Sequence, residues 1–377
     1  MKKIQMVDLM SQYQNIKPAI DEAIQHVITN AQFINGPDVS AFQQELEAYL
    51  GVKHVIPCAN GTDALQIALM ALGLKAGDEI ITPSFTYIAT TEVMALLGLK
   101  PVFVEVDIDT FCIDPSAIEA AITSKTKAIV PVHLYGQAAN MDAIMEIANK
   151  HNLFVVEDNA QAIGSDYYHK NGSVSKTGTI GDIGCTSFFP SKNLGCYGDG
   201  GAIFTNDDAL AHTLRGIVNH GMYERYHHDV VGVNSRLDSI QAAVLNAKLP
   251  LLDQYNTARQ NAARKYTAAL EGHKNIIAPS ICDICDCHVF HQYTLRIINA
   301  DRNGLMQHLL DKGIPCAIYY PIPLHSQKAY ADARYKEEDF PVTNQLVKEV
   351  ISLPMHTELD DEQIKFITDS ILEFLNK

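Results

Sequence analysis

Between residue 55 and about residue 205 the chain alternates short β-branched runs with stretches of helical period. The runs are EIITP (79–83), PVFVEV (101–106), KAIVPVHLYG (127–136) and LFVVED (153–158), and among them lie TDALQIALMALGL and NMDAIMEIANKH. Side chains repeat every two residues along a strand and every 3.6 along a helix, so this alternation dictates βαβ units around a mostly parallel sheet flanked by helices. Sheets of that kind gather ligands at the carboxyl ends of their strands, and the residues just after each run become the candidates for function. The helical stretches PAIDEAIQHVITN and VSAFQQELEAYLG come before the sheet and could lie against any later part; with them, residues 1–250 are expected to form one large domain. RLDSIQAAVLNAKLPLLDQYNTARQNAARKYTAALEG then reads as a long helix broken at Pro250, whose ring removes a hydrogen-bond donor. Beyond it VFHQYTLRI, RNGLMQHLLDKG and CAIYYPIPLH read as strand, helix and strand, with a closing helix in DDEQIKFITDSILEFLNK. These predict a smaller α+β domain over residues 251–377.

Charge excludes several classes of partner. With 44 acidic against 29 basic residues the formal charge is -15, which repels nucleic acid and anionic membranes, so a phosphate-bearing ligand needs a local site. No apolar run is long enough to span a bilayer, and MKKIQMVDLMSQYQ lacks the apolar core of a secretion signal; a cytoplasmic protein is expected. Its eight cysteines then read as free thiols. CDICDCH brings Cys282, Cys285, Cys287 and His288 together, but a structural zinc site draws its other ligands from a second pair that the sequence lacks. The cluster reads as a cysteine-containing loop, and no metal is expected. GTIGDIG has the wrong spacing for a dinucleotide fingerprint and there is no Walker loop, which removes nicotinamide oxidoreductases and P-loop enzymes.

One lysine stands apart. In TSFFPSKNLGCYGDGG, Pro190 and Ser191 interrupt regular structure before Lys192, and Gly195, Gly198, Gly200 and Gly201 follow it, as if to permit backbone conformations other residues resist. The strand LFVVE ends at Asp158. A carboxylate at a strand end and an amine on a fixed loop suit a cofactor that forms a Schiff base and carries a ring nitrogen in need of a charged partner, namely pyridoxal phosphate. From spacing alone Asp158 is equally suited to capping a helix that starts at Asn159. Gly61 and Thr62 open a strong helix whose free N–H groups favour an anion, as every helix start does, and Ser187 could add a hydroxyl. Tyr87, just past a strand end, could stack on a flat ring or pack in the core.

Taken together, NGTDAL, PSFTYIATTE, VVEDNAQAIG, TSFFPSKNLGCYGDGGAIFTND, GVNSRLDSIQAA and YYPIPLH resemble the DegT/StrS family of sugar aminotransferases, a branch of the pyridoxal-phosphate-dependent transferases of fold type I. The resemblance covers essentially the whole chain. It implies that Lys192 forms the Schiff base and shuttles the proton, that Asp158 pairs with the pyridine nitrogen, and that Gln161 contacts the ring hydroxyl side while Tyr87 stacks on the ring. Gly61, Thr62 and Ser187 would hold the phosphate, joined by Asn234 of a second subunit, so a homodimer with shared active sites is implied. Asn159 replaces the alanine that commonly follows the aspartate, which leaves the catalytic positions intact. Lys192 stands where a dehydrating branch of the family has histidine, which favours transamination.

The implied reaction carries the amino group of glutamate to a keto group, C3 by the overall look of the lysine segment, of a UDP- or dTDP-linked sugar for surface polysaccharide or amino-sugar biosynthesis. A C4-keto substrate, an ordinary keto acid and a non-catalytic regulatory homologue are the alternatives. RYHHDVVGVNSRLD is the densest run of positive charge near the implied interface, with Arg225 as its candidate substrate contact. His220, Tyr320 and His325 are further candidates, and each of these readings competes with a plain structural role.

Overall fold

The structure, a computed structural model, describes residues 2–281 and 288–377. Cys282, Cys285 and Cys287 lie outside the described residues. Two helices open the chain, α1 (Leu9–Asn30) and α2 (Pro37–Leu50). The main sheet takes β1 (His54–Cys58), β2 (Glu79–Pro83), β3 (Lys100–Val104), β4 (Thr126–Ile129) and β5 (Phe154–Asp158). A small hairpin, β6 (Asp166–Tyr168) and β7 (Val174–Lys176), precedes its last two strands, β8 (Ile183–Ser187) and β9 (Gly201–Thr205). Their spatial order is β1-β9-β8-β5-β4-β2-β3, and every strand except β9 runs in the same direction. The helices α3 (Gly61–Ala71), α4 (Ala89–Leu96), α5 (Pro115–Ala121), α6 (Met141–His151) and α7 (Asp208–Ile217) flank this sheet. Strands covered on both faces carry apolar side chains at consecutive positions, and β2 accordingly is buried along its whole length.

The mostly parallel, helix-flanked sheet is thus the one the alternation predicts. A second hairpin, β10 (Met222–Glu224) and β11 (His227–His228), projects after α7 and is largely exposed. The long helix divides as expected at Pro250: α8 (Ser239–Lys248) passes through a short 3-10 turn over Leu249–Leu251 into α9 (Leu252–Leu270).

The last part of the chain forms an antiparallel sheet of β12 (Ile276–Ile277), β13 (Tyr293–Ile297) and β14 (Val350–Leu353). With α9, α10 (Arg302–Asp311) and α12 (Asp361–Leu375) it encloses a core that includes Tyr266, Leu295, Leu309, Ile351 and Ile367. Here one expectation fails. CAIYYPIPLH is not a strand: only Ala317 bridges to Ser352, because Pro321 and Pro323 offer no N–H to a ladder. The strand in that place is β14, in the segment after α11 (Pro341–Glu349). The N-terminal segment joins the two parts: Ile4 is buried in the small-sheet core, Met6 accepts the N–H of Met355 at 3.2 Å, and α1 packs along α8.

Candidate active site

The carboxyl ends of the parallel strands converge on one cavity of about 650 Å³. The segment after β1 brings Asn60, Gly61 and Thr62, that after β2 brings Thr86 and Tyr87, β5 ends in Asp158, and β8 leads from Ser187 to Lys192. From the small-sheet side come His291, Gln292 and the segment from Ile318 to Pro321.

The Lys192 loop is a closed turn. Lys192 N–H bonds the carbonyl of Phe189 at 2.8 Å, Cys196 N–H that of Phe188 at 2.9 Å, and Phe188 N–H that of Gly200 at 2.7 Å. The buried Lys248 donates its Nζ to the carbonyl of Gly195 at 2.8 Å, and Asn193 donates Nδ2 to Asn256 at 2.7 Å. None of the four glycines of the loop has a left-handed φ, so conformational freedom is not their purpose, contrary to the sequence reading. They serve close approach. A Cβ on Gly201 would lie 2.5 Å from the carbonyl of Asn60, and one on Gly195 would meet the carbonyl oxygen of Pro190. Glycine at 201 is what lets the loop lie directly against the start of α3.

The amine of Lys192 makes no hydrogen bond or ion pair with the described residues. Burial lowers its pKa to about 8, and the charge of Asp158 only partly opposes the shift. Desolvation wins, at a little over 1 kcal/mol per unit, so near neutral pH an appreciable share of the amine carries a free lone pair.

Asp158 is 6% exposed, and burial raises its pKa. Opposing that, Thr90 on α4 donates its hydroxyl to Oδ2 at 2.8 Å and Ala160 its N–H to Oδ1 at 3.2 Å. The capping alternative is therefore met only in part: the carboxylate closes a turn, no helix follows, and it still lines the cavity. Its neighbour Glu157 points to the other face of β5 and is fully buried. There it accepts from Nε2 of His133 at 2.8 Å and from the N–H groups of Gly178, Ile180 and Gly181 at 2.8, 2.7 and 2.6 Å. These bonds fix the strand end that carries Asp158.

The candidate anion cradle is brought together at the start of α3. Asn60 caps α3 by accepting from Asp63 N–H at 2.8 Å, which leaves the N–H groups of Gly61 and Thr62 without backbone partners. A Cβ on Gly61 would lie 2.7 Å from that of Ser187, so these residues touch. Tyr87 is 56% exposed and lines the cavity, 6.0 Å from the ring of Tyr320, rather than packing in the core. A partnerless amine, a carboxylate opposite, an anion cradle and an aromatic wall fit pyridoxal phosphate.

Gln161 is held at both ends of its amide. Its Oε1 accepts from Tyr135 N–H at 2.7 Å and its Nε2 donates to the hydroxyl of Tyr320 at 3.1 Å. Tyr320 lines the cavity. Four other candidates do not. His325 bonds Ser84 at 2.5 Å and stacks on Phe340 at 4.1 Å. Arg225 lies on the exposed hairpin against the ring of Tyr226, at 5.0 Å; His220 offers its carbonyl to Nδ1 of His228 at 2.8 Å; and Asn234 is exposed beside Asn219. Sequence reasoning missed Thr90, His291 and Gln292. The threonine carries no motif, and the other two were taken as part of a strand that in fact begins at Tyr293.

Comparison with known proteins agrees with this geometry. The profile of the DegT/DnrJ/EryC1/StrS aminotransferase family matches residues 14–372. Over 364 residues the chain is 49% identical to the UDP-2-acetamido-2-deoxy-3-oxo-D-glucuronate aminotransferase of Pseudomonas aeruginosa, across 97% of this chain and 98% of the relative. It is 46% identical over 373 residues to the UDP-N-acetyl-3-dehydro-alpha-D-glucosamine 3-aminotransferase of Acidithiobacillus ferrooxidans, across 99% and 98%. The crystal structure of a DegT DnrJ EryC1 StrS aminotransferase from Brucella abortus superposes with a TM-score of 0.94 at 42% identity, across 99% of this chain and 100% of that one.

Proposed function

We infer that this chain, which belongs to the pyridoxal-phosphate-dependent DegT/DnrJ/EryC1/StrS aminotransferase family, moves the amino group of glutamate onto the C3 keto group of a UDP- or dTDP-linked sugar. The observation that carries this is the meeting, in one cavity, of the partnerless amine of Lys192, the carboxylate of Asp158 and the cradle of Gly61, Thr62 and Ser187. When bound, the cofactor supplies an electron sink and carries the amino group between donor and acceptor. Asp158 provides the negative charge that a protonated ring nitrogen needs, and Thr90 holds it in place. Lys192, whose pKa burial has brought to about 8, takes a proton from the α-carbon of the amino donor and returns it on the acceptor side. Gly61, Thr62 and Ser187 would hold the cofactor's phosphate, Tyr87 would stack on its ring, and Gln161, oriented by Tyr135, would contact the ring hydroxyl side.

The position of the keto group is supported by the names of two relatives, each of which specifies a 3-oxo or 3-dehydro sugar linked to UDP. They disfavour the C4 alternative, and the retained Lys192 and Asp158 disfavour a non-catalytic one. Asn234, His220 and Arg225 take part through a second copy of the chain, an arrangement supported by the exposed Tyr226 at the turn of the hairpin and the exposed Val230 and Val231 just after it. His325 stays a structural residue of the wall. Residues 1–250 act as the cofactor-binding domain and 251–377 as the smaller one. No helix among the described residues is long and apolar enough to cross a membrane.

The test is an absorbance spectrum of the protein with pyridoxal phosphate, before and after glutamate and then a UDP-linked 3-oxo sugar. A band that shifts with glutamate and recovers with the sugar is expected. In Lys192→Ala the fold persists and turnover falls by on the order of a thousandfold or more. A variant as active as its parent removes Lys192 from the chemistry.

A further inference from the structure

A second buried lysine stands beside the lysine loop and has no part in the chemistry described above. Lys248 is 1% exposed, and its amine has no carboxylate partner among the described residues. Burying such a cation is costly, and an apolar side chain of similar volume commonly serves stability as well or better. What the amine holds is therefore the clue to its use.

Its Nζ donates to the carbonyl of Gly195 at 2.8 Å and to Oε1 of Gln12 at 3.1 Å, and lies 4.4 Å from the centre of the Tyr197 ring. An ammonium has three donors and no acceptor, so this one side chain reaches the loop twice and α1 once. Lys248 closes α8, where the helix dipole favours a cation. Gln241 lies two turns earlier on the same face of that helix. It accepts the N–H of Tyr197 at 2.8 Å and donates Nε2 to the carbonyl of Tyr197 at 3.4 Å. Gly198 makes room for it, since a Cβ there would lie 2.8 Å from Nε2 of Gln241. The end of α8 thus clasps residues 195–197, just past Lys192.

The tie continues into the N-terminal helix. Tyr13, next to Gln12 on α1, meets the Tyr197 ring edge-on at 6.2 Å. Just before α1, Ile4 is buried in the small-sheet core and Met6 accepts the N–H of Met355. Lys248 therefore joins the loop of the main-sheet wall to a segment anchored in the other core.

We propose that Lys248 is a positioning residue of the transfer, which fixes the loop that carries Lys192 and ties it to α1 through Gln12. This rests on the site reading above, in which the Lys192 amine must reach both the cofactor and the α-carbon of the donor. Lys248 works by holding the Gly195 carbonyl, and with it the turn that the N–H groups of Lys192 and Cys196 close. Its charge is not among those that shift the Lys192 amine.

The test uses the full-length protein in Lys248→Met, which keeps an unbranched stem of similar length and removes the donors. Amide hydrogen exchange, read by mass spectrometry before pyridoxal phosphate is added, should speed about tenfold over residues 188–200 and little elsewhere, while Tm stays near the parent's or rises. With the cofactor added, the glutamate half-reaction in single turnover should slow about tenfold or more, with half-saturation by glutamate little changed. Gln12→Leu, which frees α1 from Lys248 and spares the Gly195 bond, should give the same signature to a smaller degree. Loop exchange as slow as the parent's in K248M, or in Q12L where K248M does not fold, overturns the proposal. So does faster exchange throughout the chain with a matching fall in Tm, which is what a merely structural residue gives. A loosened loop in an enzyme that reacts as fast as its parent overturns it too. These failures, in a parent that reacts normally, overturn the proposal alone, whereas a parent that captures no pyridoxal phosphate overturns the site reading with it.

Discussion

The two walls of the cavity carry different chemistry. On the main-sheet wall stand the groups that bear or bind charge: Asp158, Lys192 and the N–H cradle of Gly61 and Thr62. The small-sheet wall offers His291, Gln292, Ile318, Tyr319, Tyr320 and Pro321, none of them charged in this setting. Burial pushes the Tyr320 hydroxyl further from ionising and the His291 ring further from protonating. Charge thus sits at the ends of the parallel strands, where burial shifts its pKa, and neutral donors and rings line the opposite side.

That division can be broken at Asp158. Asp158→Asn keeps the shape and the bond from Thr90 and removes the charge, so the glutamate half-reaction should slow by about a hundredfold or more while the fold persists. Single-turnover kinetics beside a thermal melt would check it, and a rate within a few-fold of the parent would mean that the charged wall does not act through charge. The cradle offers the next effect. A side chain at Gly61 must run into Ser187, and Gly61→Val should weaken pyridoxal phosphate by about tenfold or more in a binding titration. Unchanged affinity would take the phosphate away from the start of α3.

The mildest perturbation is pH. Lys192 has its folded pKa lowered, so the cationic form dominates below about pH 8 and the nucleophilic neutral amine above it. Capture of pyridoxal phosphate by the apoprotein should accelerate about tenfold per unit up to that point and then level off. Stopped-flow rates with a midpoint near an ordinary lysine's would show that burial does not tune this amine.

Much of the main-sheet wall could be read from the chain. EIITP and LFVVED declare strands through local period, and a strand's end delivers the next residues to the rim of the sheet wherever the rest of the chain goes. Asp158, Tyr87, Gly61 and Lys192 were found on that logic, and the cavity contains all of them. The glycines of the lysine loop were located but misjudged, because composition reveals that a side chain is missing and not which neighbour would have struck it. His325 was drawn toward the site by a motif, yet its ring is stacked on Phe340. Thr90 was passed over because a threonine within a helix has no pattern of its own, although it alone donates a side-chain hydroxyl to Asp158 among the described residues.

Local period and the alternation of strand and helix follow from each residue's own backbone preference and polarity, and so the sequence alone established the sheet, the break at Pro250 and the amine on its turn. The opposite wall came from the fold. His291 lines the same cavity as Lys192, and Tyr320 meets Gln161, only because α9, the turn at Gly136 and the small sheet close on one another, and contacts between segments so far apart in the chain depend on how all the intervening layers pack.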